Sequence, residues 1–346
     1  MAGTTDGVGS GVTAAGLTVG YAAMLEQFHP TEAVELSAYA EQHGFSGVMA
    51  ADHFQPWVPA QGQASFVWNV LTAVGERTTG DMGPGVTAPT FRWHPAMVAQ
   101  ASATLAAMYP GRHWLGLGSG EALNEHITGQ YWPEAPERIN RMFEAIDIIK
   151  KLFHGSLAGK DVKHRGDFYT MESTRLWTMP EEAPPILVAT AGPITAKRAG
   201  RHADGLITVG APLEKIEGLF GRFHEGVRES GRDPESLPKV LQVHMSWAAT
   251  DEEALANAMH EWPNGGMKFP KADIRSPFEF EQMAKLVRPE DFEGRMVISS
   301  DPDKHRAEIQ KYVDLGFDRI YLHNVGRNQR EWIETFGEHV LPKLVR

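Results

Sequence analysis

The segment Ala51-Asp52-His53-Phe54-Gln55-Pro56-Trp57 concentrates groups that can do chemistry: a carboxylate, an imidazole and an indole, directly after the apolar run Val48-Met49-Ala50-Ala51. The run reads as the end of a buried strand, and Pro56 keeps a helix from running through the residues after it. A strand that stops and presents Asp, His and Trp places them at the carboxyl end of a sheet, where α/β enzymes keep their sites. A single histidine after a strand is as consistent with a structural role, and Asp52 with a turn cap. A second strand end of the same kind, Leu115-Gly116-Leu117-Gly118-Ser119-Gly120-Glu121-Ala122-Leu123-Asn124-Glu125, strengthens the functional reading.

Other local patterns exclude chemistries. Gly116-x-Gly118-x-Gly120 lacks the G-x-G-x-x-G spacing of a dinucleotide site, although glycines at a strand end let a planar ring or a phosphate approach the backbone. The histidines form no H-x-x-x-H or H-E-x-x-H pattern, so no metal site is expected. No G-x-S-x-G or P-loop sequence occurs. Ala189-Thr190-Ala191-Gly192-Pro193 opens a helix after a strand, and is open to two readings: an anion site on its N–H groups, or a plain turn. Lys268, Lys271, Arg275 and Arg295 make a local basic cluster, either a solvated face or a phosphate clamp.

The elements that must position these groups alternate. Strands are expected at Leu17–Tyr21, Gly47–Ala51, Gly83–Thr87, His113–Leu117, Ile186–Thr190, Gly205–Val209, Val240–Trp247 and Arg319–His323. Amphipathic helices fall between them, among them Thr31–His43, Pro95–Met108, Glu137–Phe153, Glu214–Ser230 and Asp303–Leu315. This alternation points to parallel βα units and to a (β/α)8 TIM barrel, a fold that accommodates 346 residues in one domain. A ninth candidate strand, Met296–Ser300, keeps an open doubly wound sheet as the rival. Residues 1–16 read as a disordered leader and 17–346 as one barrel domain. Two insertions interrupt it, a hairpin-like excursion near 160–182 and a Pro/Gly/charge-rich lid or binding segment near 263–293.

Composition narrows the partners. A net charge of −11 opposes general nucleic-acid or anionic-membrane binding. Without cysteine there is no disulfide, thiolate nucleophile or Cys-ligated metal, which fits a cytoplasmic location. No apolar run approaches the roughly 20 residues of a membrane span.

Taken together, Glu26-Gln27-Phe28, Asp52 to Trp57, Thr72 to Thr78, Pro89-Thr90-Phe91-Arg92, Gly120 to Glu125 and Ser300-Asp301-Pro302 resemble the F420-dependent glucose-6-phosphate dehydrogenases. These are luciferase-like (β/α)8 oxidoreductases, and the resemblance runs from about Leu17 to Leu344. It implies coenzyme F420, a small-molecule sugar phosphate, a homodimer, and oxidation of the sugar at C1 to the lactone with hydride transfer to C5 of the deazaflavin. By the same resemblance His53 is the catalytic base, Trp57 helps hold the reacting face, Glu121 protonates N1 of the reduced coenzyme, and Glu26 is a second active-site carboxylate. Asp52, Gly85, Val86, Gly120, Asn124, Ala189, Thr190, Ala191 and Gly192 match coenzyme contacts, with a non-proline cis peptide at Gly85-Val86. Gly85 and Ala88 stand where Ser and Thr are usual.

Lys271 and Arg295 match two of the family's three phosphate-binding cations. The third falls at Pro212, with Lys215 one helical turn away as a substitute. Losing one charged hydrogen bond costs about 1.5–3 kcal/mol, so fructose or mannose 6-phosphate, or a non-phosphorylated alcohol, stand as alternative substrates. An FMN-dependent monooxygenase and a non-catalytic deazaflavin carrier are the remaining rivals. Glu121-Ala122-Leu123-Asn124 with His53 and Trp57 argues against the first, and the presence of His53, Trp57 and Glu121 together against the second.

Overall fold

The computed structural model describes residues 16–346, so the expected leader lies, through residue 15, outside the described residues. Eight strands alternate with helices: β1 (Thr18–Ala23), β2 (Gly47–Ala50), β3 (Asp81–Pro84), β4 (Leu115–Leu117), β5 (Ile186–Ala189), β6 (Gly205–Val209), β7 (Lys239–Ser246) and β8 (Arg319–Asn324). All pair in parallel, in the order β3-β2-β1-β8-β7-β6-β5-β4. The ends of this order meet. Met82 bridges to His113 and Thr87 to Leu117, which closes the sheet into a (β/α)8 barrel. The open sheet is therefore ruled out. The ninth strand exists only as Val297–Ile298, paired to Met245 and Ser246 at the end of β7, and takes no place in the barrel wall.

The helices α1 (Pro30–Gln42), α2 (Val67–Arg77), α3 (Pro95–Met108), α4 (Ala135–Leu157), α5 (Pro193–His202), α6 (Leu213–Glu229), α7 (Asp251–Glu261), α8 (Pro302–Asp314) and α9 (Gln329–His339) surround the barrel. Several begin with proline in the first turn, where its missing N–H costs nothing. Gly44, with φ 95°, ends α1 in a left-handed conformation that suits glycine. Helix α2 is not among the elements expected from sequence. Its start, Val67-Trp68-x-Val70-Leu71, is rich in β-branched and aromatic residues that read as strand, and the decision for helix comes from burying Val67, Val70, Leu71 and Val74 against the barrel. The excursion after α4 is an antiparallel pair, Val162–Arg165 with Thr170–Thr174. The segment 263–293 holds a short helix, Pro277–Ala284, and two 3-10 turns.

The interior of the barrel is full. Ala22, Met49, Trp114, Leu187, Ile207, Val240 and Tyr321, drawn from around the wall, form one buried cluster. At the amino end Trp114 Nε1 donates to the Tyr321 hydroxyl at 3.1 Å, and that hydroxyl donates to Asp81 at 2.5 Å. A filled interior leaves room for ligands only at the carboxyl mouth.

The weakest part of the wall is the β3–β4 seam. There Thr87 N–H donates to Gly116 O at 3.0 Å and Gly118 N–H to Thr87 O at 2.9 Å, without a continuous ladder. Of the expected strands Gly83–Thr87 and His113–Leu117, only parts are regular. The ladder of β3 ends at Pro84, and the Gly85–Val86 peptide beyond it is cis. A Cβ at Gly116 would stand 2.2 Å from Pro84 O. Gly116→Ala is expected to push the seam apart, lowering stability by about 1–3 kcal/mol. A thermal midpoint equal to that of the wild type would contradict this account of the seam.

Candidate active site

A cavity of about 370 Å³ opens at the carboxyl ends of the strands. His53, Trp57, Glu121 and Glu26 all line it, as do Asp52, Gly85, Val86, Gly120, Asn124, Ala189, Thr190 and Ala191. Gly192 does not. Its N–H donates to Thr190 Oγ1 at 3.0 Å, so the turn into α5 satisfies itself and offers one anion-binding group fewer than the sequence allowed.

His53 lies on the loop after β2 and keeps 12% of its side-chain surface open. Its Nδ1 faces two acceptors, Gln55 O at 3.2 Å and Glu26 Oε1 at 3.4 Å. A neutral ring placed there carries its proton on Nδ1, an assignment made from the acceptors around it, and leaves the Nε2 lone pair as a base. Glu26 is fully buried, and His53 Nδ1 at 3.4 Å, beyond good hydrogen-bond geometry, is the polar group its Oε1 approaches. Trp57 packs on the ring with centroids 5.1 Å apart, and is itself held edge-on by Trp262 at 6.0 Å and Phe280 at 5.2 Å. Both supports come from α7's end and the segment 263–293.

That segment is docked over the mouth. Ala122 N–H donates to Ala272 O at 2.7 Å, and Asp273 accepts from Trp132 Nε1 at 2.8 Å and pairs with Arg138 at 3.1 Å. Beneath it, burial raises the Glu121 carboxyl above its usual range, opposed by His53 and Lys271 and reinforced by Glu26 and Glu125. Glu121 therefore keeps a proton to higher pH than an exposed glutamate.

The side chain that organises the coenzyme-side loops is Arg92, whose segment carries the resemblance although sequence alone gives it no role. It sits between two buried carboxylates. Arg92 Nη2 lies 3.3 Å from Asp52 Oδ2 and Nε lies 2.9 Å from Glu125 Oε1, while its backbone N–H donates to Glu125 Oε2 at 2.8 Å. The Thr87 hydroxyl also donates to Asp52. Asp52 is thus engaged within the protein as well as facing the cavity. Asn124 behaves similarly, its Oδ1 accepting from Phe54 N–H at 2.9 Å and Gln55 N–H at 3.3 Å, which fixes the loop bearing His53. Only spacing through the fold brings Asp52, Arg92 and Glu125 together, so no local pattern announces them.

Lys271 and Arg295 do not line this cavity. Lys271 Nζ donates to Asn264 O at 3.0 Å and Arg295 to Met267 O at 3.4 Å. Burial lowers the Lys271 ammonium, an effect opposed by Glu121 and reinforced by Arg295. His244 lines both the main cavity and a narrow crevice of about 20 Å³ that reaches Arg295. Beyond it an outer groove is shared by Arg295, Pro212 and Lys311. Lys215, the substitute suggested by sequence, is exposed on α6 and does not line that groove; Lys311 does, in contact with Glu308 at 2.8 Å. Among the described residues no group of His, Asp and Glu is arranged to hold a metal ion, and no helix is long and apolar enough to cross a membrane.

A filled parallel barrel with an imidazole, buried carboxyls and a small-residue wall around a cavity at its carboxyl mouth defines the class: an α/β-barrel enzyme. Residues 8–319 match the family described as luciferase-like monooxygenase. The chain is 38% identical over 335 residues to the F420-dependent glucose-6-phosphate dehydrogenase of Mycobacterium leprae (strain Br4923), covering 95% of this chain and 98% of that one. The corresponding enzyme of Microbacterium testaceum (strain StLB037) is 37% identical over 331 residues, covering 95% and 97%. Among solved structures, an F420-dependent secondary alcohol dehydrogenase in complex with an F420-acetone adduct superposes with a TM-score of 0.88 at 30% identity, covering 94% of this chain and 98% of that one. The chain belongs to the luciferase-like family and, within it, to the F420-dependent glucose-6-phosphate dehydrogenase group.

The electrostatics of the mouth have two testable consequences. Arg92→Ala strands Asp52 and Glu125 in the interior and is expected to cost about 3–5 kcal/mol, read as a lower thermal midpoint; an unchanged midpoint would show the pairs to be dispensable. Glu121 has a folded pKa above its unfolded one, so its contribution to stability is greatest at low pH and is lost as pH rises through the folded value. The thermal midpoint of Glu121→Gln should therefore gain on the wild type as pH is raised. A constant difference across pH would mean that the carboxyl is not perturbed.

Proposed function

We propose that this enzyme oxidises a sugar 6-phosphate, glucose 6-phosphate before others, at C1 to the lactone, with coenzyme F420 as the hydride acceptor. The observation that carries the reading is the placement, in one cavity, of an imidazole whose Nδ1 faces Gln55 O and Glu26 and a carboxyl, Glu121, whose proton affinity burial raises. Such a pair separates the two proton tasks of an alcohol oxidation: one group takes the hydroxyl proton and the other holds one ready.

The wall fits a planar coenzyme. Gly85, Val86, Ala88, Gly118, Gly120, Ala189 and Ala191 carry nothing larger than valine, and Gly118 leaves no room for a side chain, since its Cβ would meet Val86 Cγ2 at 2.7 Å. Residues of this wall, with Asp52, Asn124 and Thr190 at its edge, would hold the ring. Bound there, F420 supplies a hydride acceptor at C5 of the deazaflavin. His53 Nε2 takes the proton from the substrate hydroxyl, which makes the carbon-bound hydride a better leaving group. Glu26 faces the Nδ1 side and stabilises the charge that develops on the ring. Trp57 holds the ring in place, and the docked 263–293 segment screens the mouth from water. Glu121 keeps a proton available at its carboxyl.

Lys271 and Arg295 favour a phosphorylated substrate, with Lys311 in the same outer groove as Arg295 and Pro212. The absence of a cation at Pro212 favours a second reading, in which the substrate is another sugar phosphate or an alcohol without phosphate. Family likeness supports a homodimer working in the cytoplasm on carbohydrate.

The test is anaerobic bleaching of oxidised F420 with glucose, fructose and mannose 6-phosphates, free glucose and simple alcohols. Bleaching by glucose 6-phosphate ahead of free glucose is expected, while activity with alcohols alone would replace the proposal by the second reading. In the same assay His53→Ala should lower kcat by about a hundred- to ten-thousandfold, with coenzyme binding retained. Normal turnover by that variant would remove His53 from the chemistry.

A further inference from the structure

Strands β7 and β8 place two histidines side by side on one face, outside every role assigned above. His244 and His323 are register partners in that parallel pair. Their Nδ1 atoms are 2.8 Å apart. Two bare lone pairs do not approach so closely, so one proton lies between them, on one ring or the other.

The far sides of the rings decide which. His323 is 1% exposed and its Nε2 meets no partner. His244 is half-buried and lines the reaction cavity beside Gln242 and Trp262. A buried N–H without an acceptor is a rarer and costlier orphan than a buried acceptor without a donor. His323 therefore carries its proton on Nδ1 and donates it to His244 Nδ1. His244, whose Nδ1 then accepts, must carry its own proton on Nε2. Trp262 holds both rings, tilted on His244 at 4.9 Å and edge-on to His323 at 4.8 Å. Burial, and Lys271 in addition, pushes His244 down to about 4, and burial holds His323 well below the usual imidazole range, so both rings are neutral at ordinary pH.

We infer that His244 is a neutral hydrogen-bond donor that orients the substrate, its Nε2–H offered to an uncharged substrate oxygen in the cavity and its tautomer set by the positioning residue His323. This rests on the reading of the cavity as the oxidation site. The chemistry separates it from Lys271 and Arg295: cations serve a phosphate, whereas a neutral N–H suits a hydroxyl or ring oxygen near the reacting carbon. It would make the enzyme favour polyhydroxylated substrates over simple alcohols.

The test begins with histidine-selective 15N NMR of the full chain, with and without F420, assigned by the loss of signals in His244→Gln and His323→Gln. The expected result is His244 as the Nε2–H tautomer and His323 as the Nδ1–H tautomer; the reverse pattern, or a charged His244, overturns the inference. This readout needs no turnover, so it stands apart from any failure of the proposed reaction. The second arm is kinetic. His244→Phe should lower kcat/KM for the preferred substrate by about ten- to a hundredfold, with F420 affinity unchanged, and His244→Gln, which keeps an N–H donor, should recover most of it. A His244→Phe enzyme with the kcat/KM of the wild type overturns the role.

Discussion

Arg92 is the interaction on which the coenzyme-side loops depend. Its guanidinium is nearly removed from water, between Asp52 after β2 and Glu125 after β4, while Arg92 itself follows β3. One planar cation thus ties three consecutive loops. Buried charges persist only when paired and hydrogen-bonded, and here each carboxylate accepts from more than one donor. Two of these strands form the part of the barrel with the least regular pairing, since β3 and β4 are joined by bridges alone. Charge pairing at the mouth supports a wall that backbone hydrogen bonds hold less completely.

A second set of contacts surrounds the same cavity. Trp57, Trp262, Phe280, His53, His244 and His323 are linked by a continuous series of ring contacts. Aromatic rings bury large area and fix orientation through edge-to-face packing. Because Trp262 and Phe280 come from the end of α7 and the segment 263–293, that segment also supports the Trp57 ring against which His53 packs. Its docking through Ala272 and Asp273 links it to the loop carrying Glu121. His53, the loop carrying Glu121 and the segment over them are therefore one mechanical unit, to which the His244–His323 pair is joined through Trp262.

Much of this was legible. Strand ends at Ala51 and Leu117 announced themselves because a buried parallel strand must be apolar and its chemistry must begin where burial stops. The barrel count followed from the same alternation, and the hairpin after α4 stood out as an interruption of it. What stayed hidden had a physical reason in each case. Helix α2 begins with residues that prefer strands, and packing overrode the preference. The turn at Gly192 satisfied its own N–H through Thr190. Lys215 lay one helical turn from the expected place, yet does not line a groove that Lys311 reaches from a different helix. The Asp52–Arg92–Glu125 clamp and the His244–His323 pair join residues 33 to 79 positions apart.

By itself the sequence determined the class of fold, the mouth where the site must lie, and the residue types available there, because periodicity and burial are local properties of a chain. Tertiary structure alone decided which of those groups are free to act. Asp52 and Asn124 are partly engaged by their neighbours, Glu121 is raised by burial, His53 is left with an open Nε2, and His244 acquires its tautomer from a ring on the adjacent strand. Protonation and hydrogen-bonding capacity depend on what stands within a few ångströms, and that is set by barrel closure rather than by sequence order.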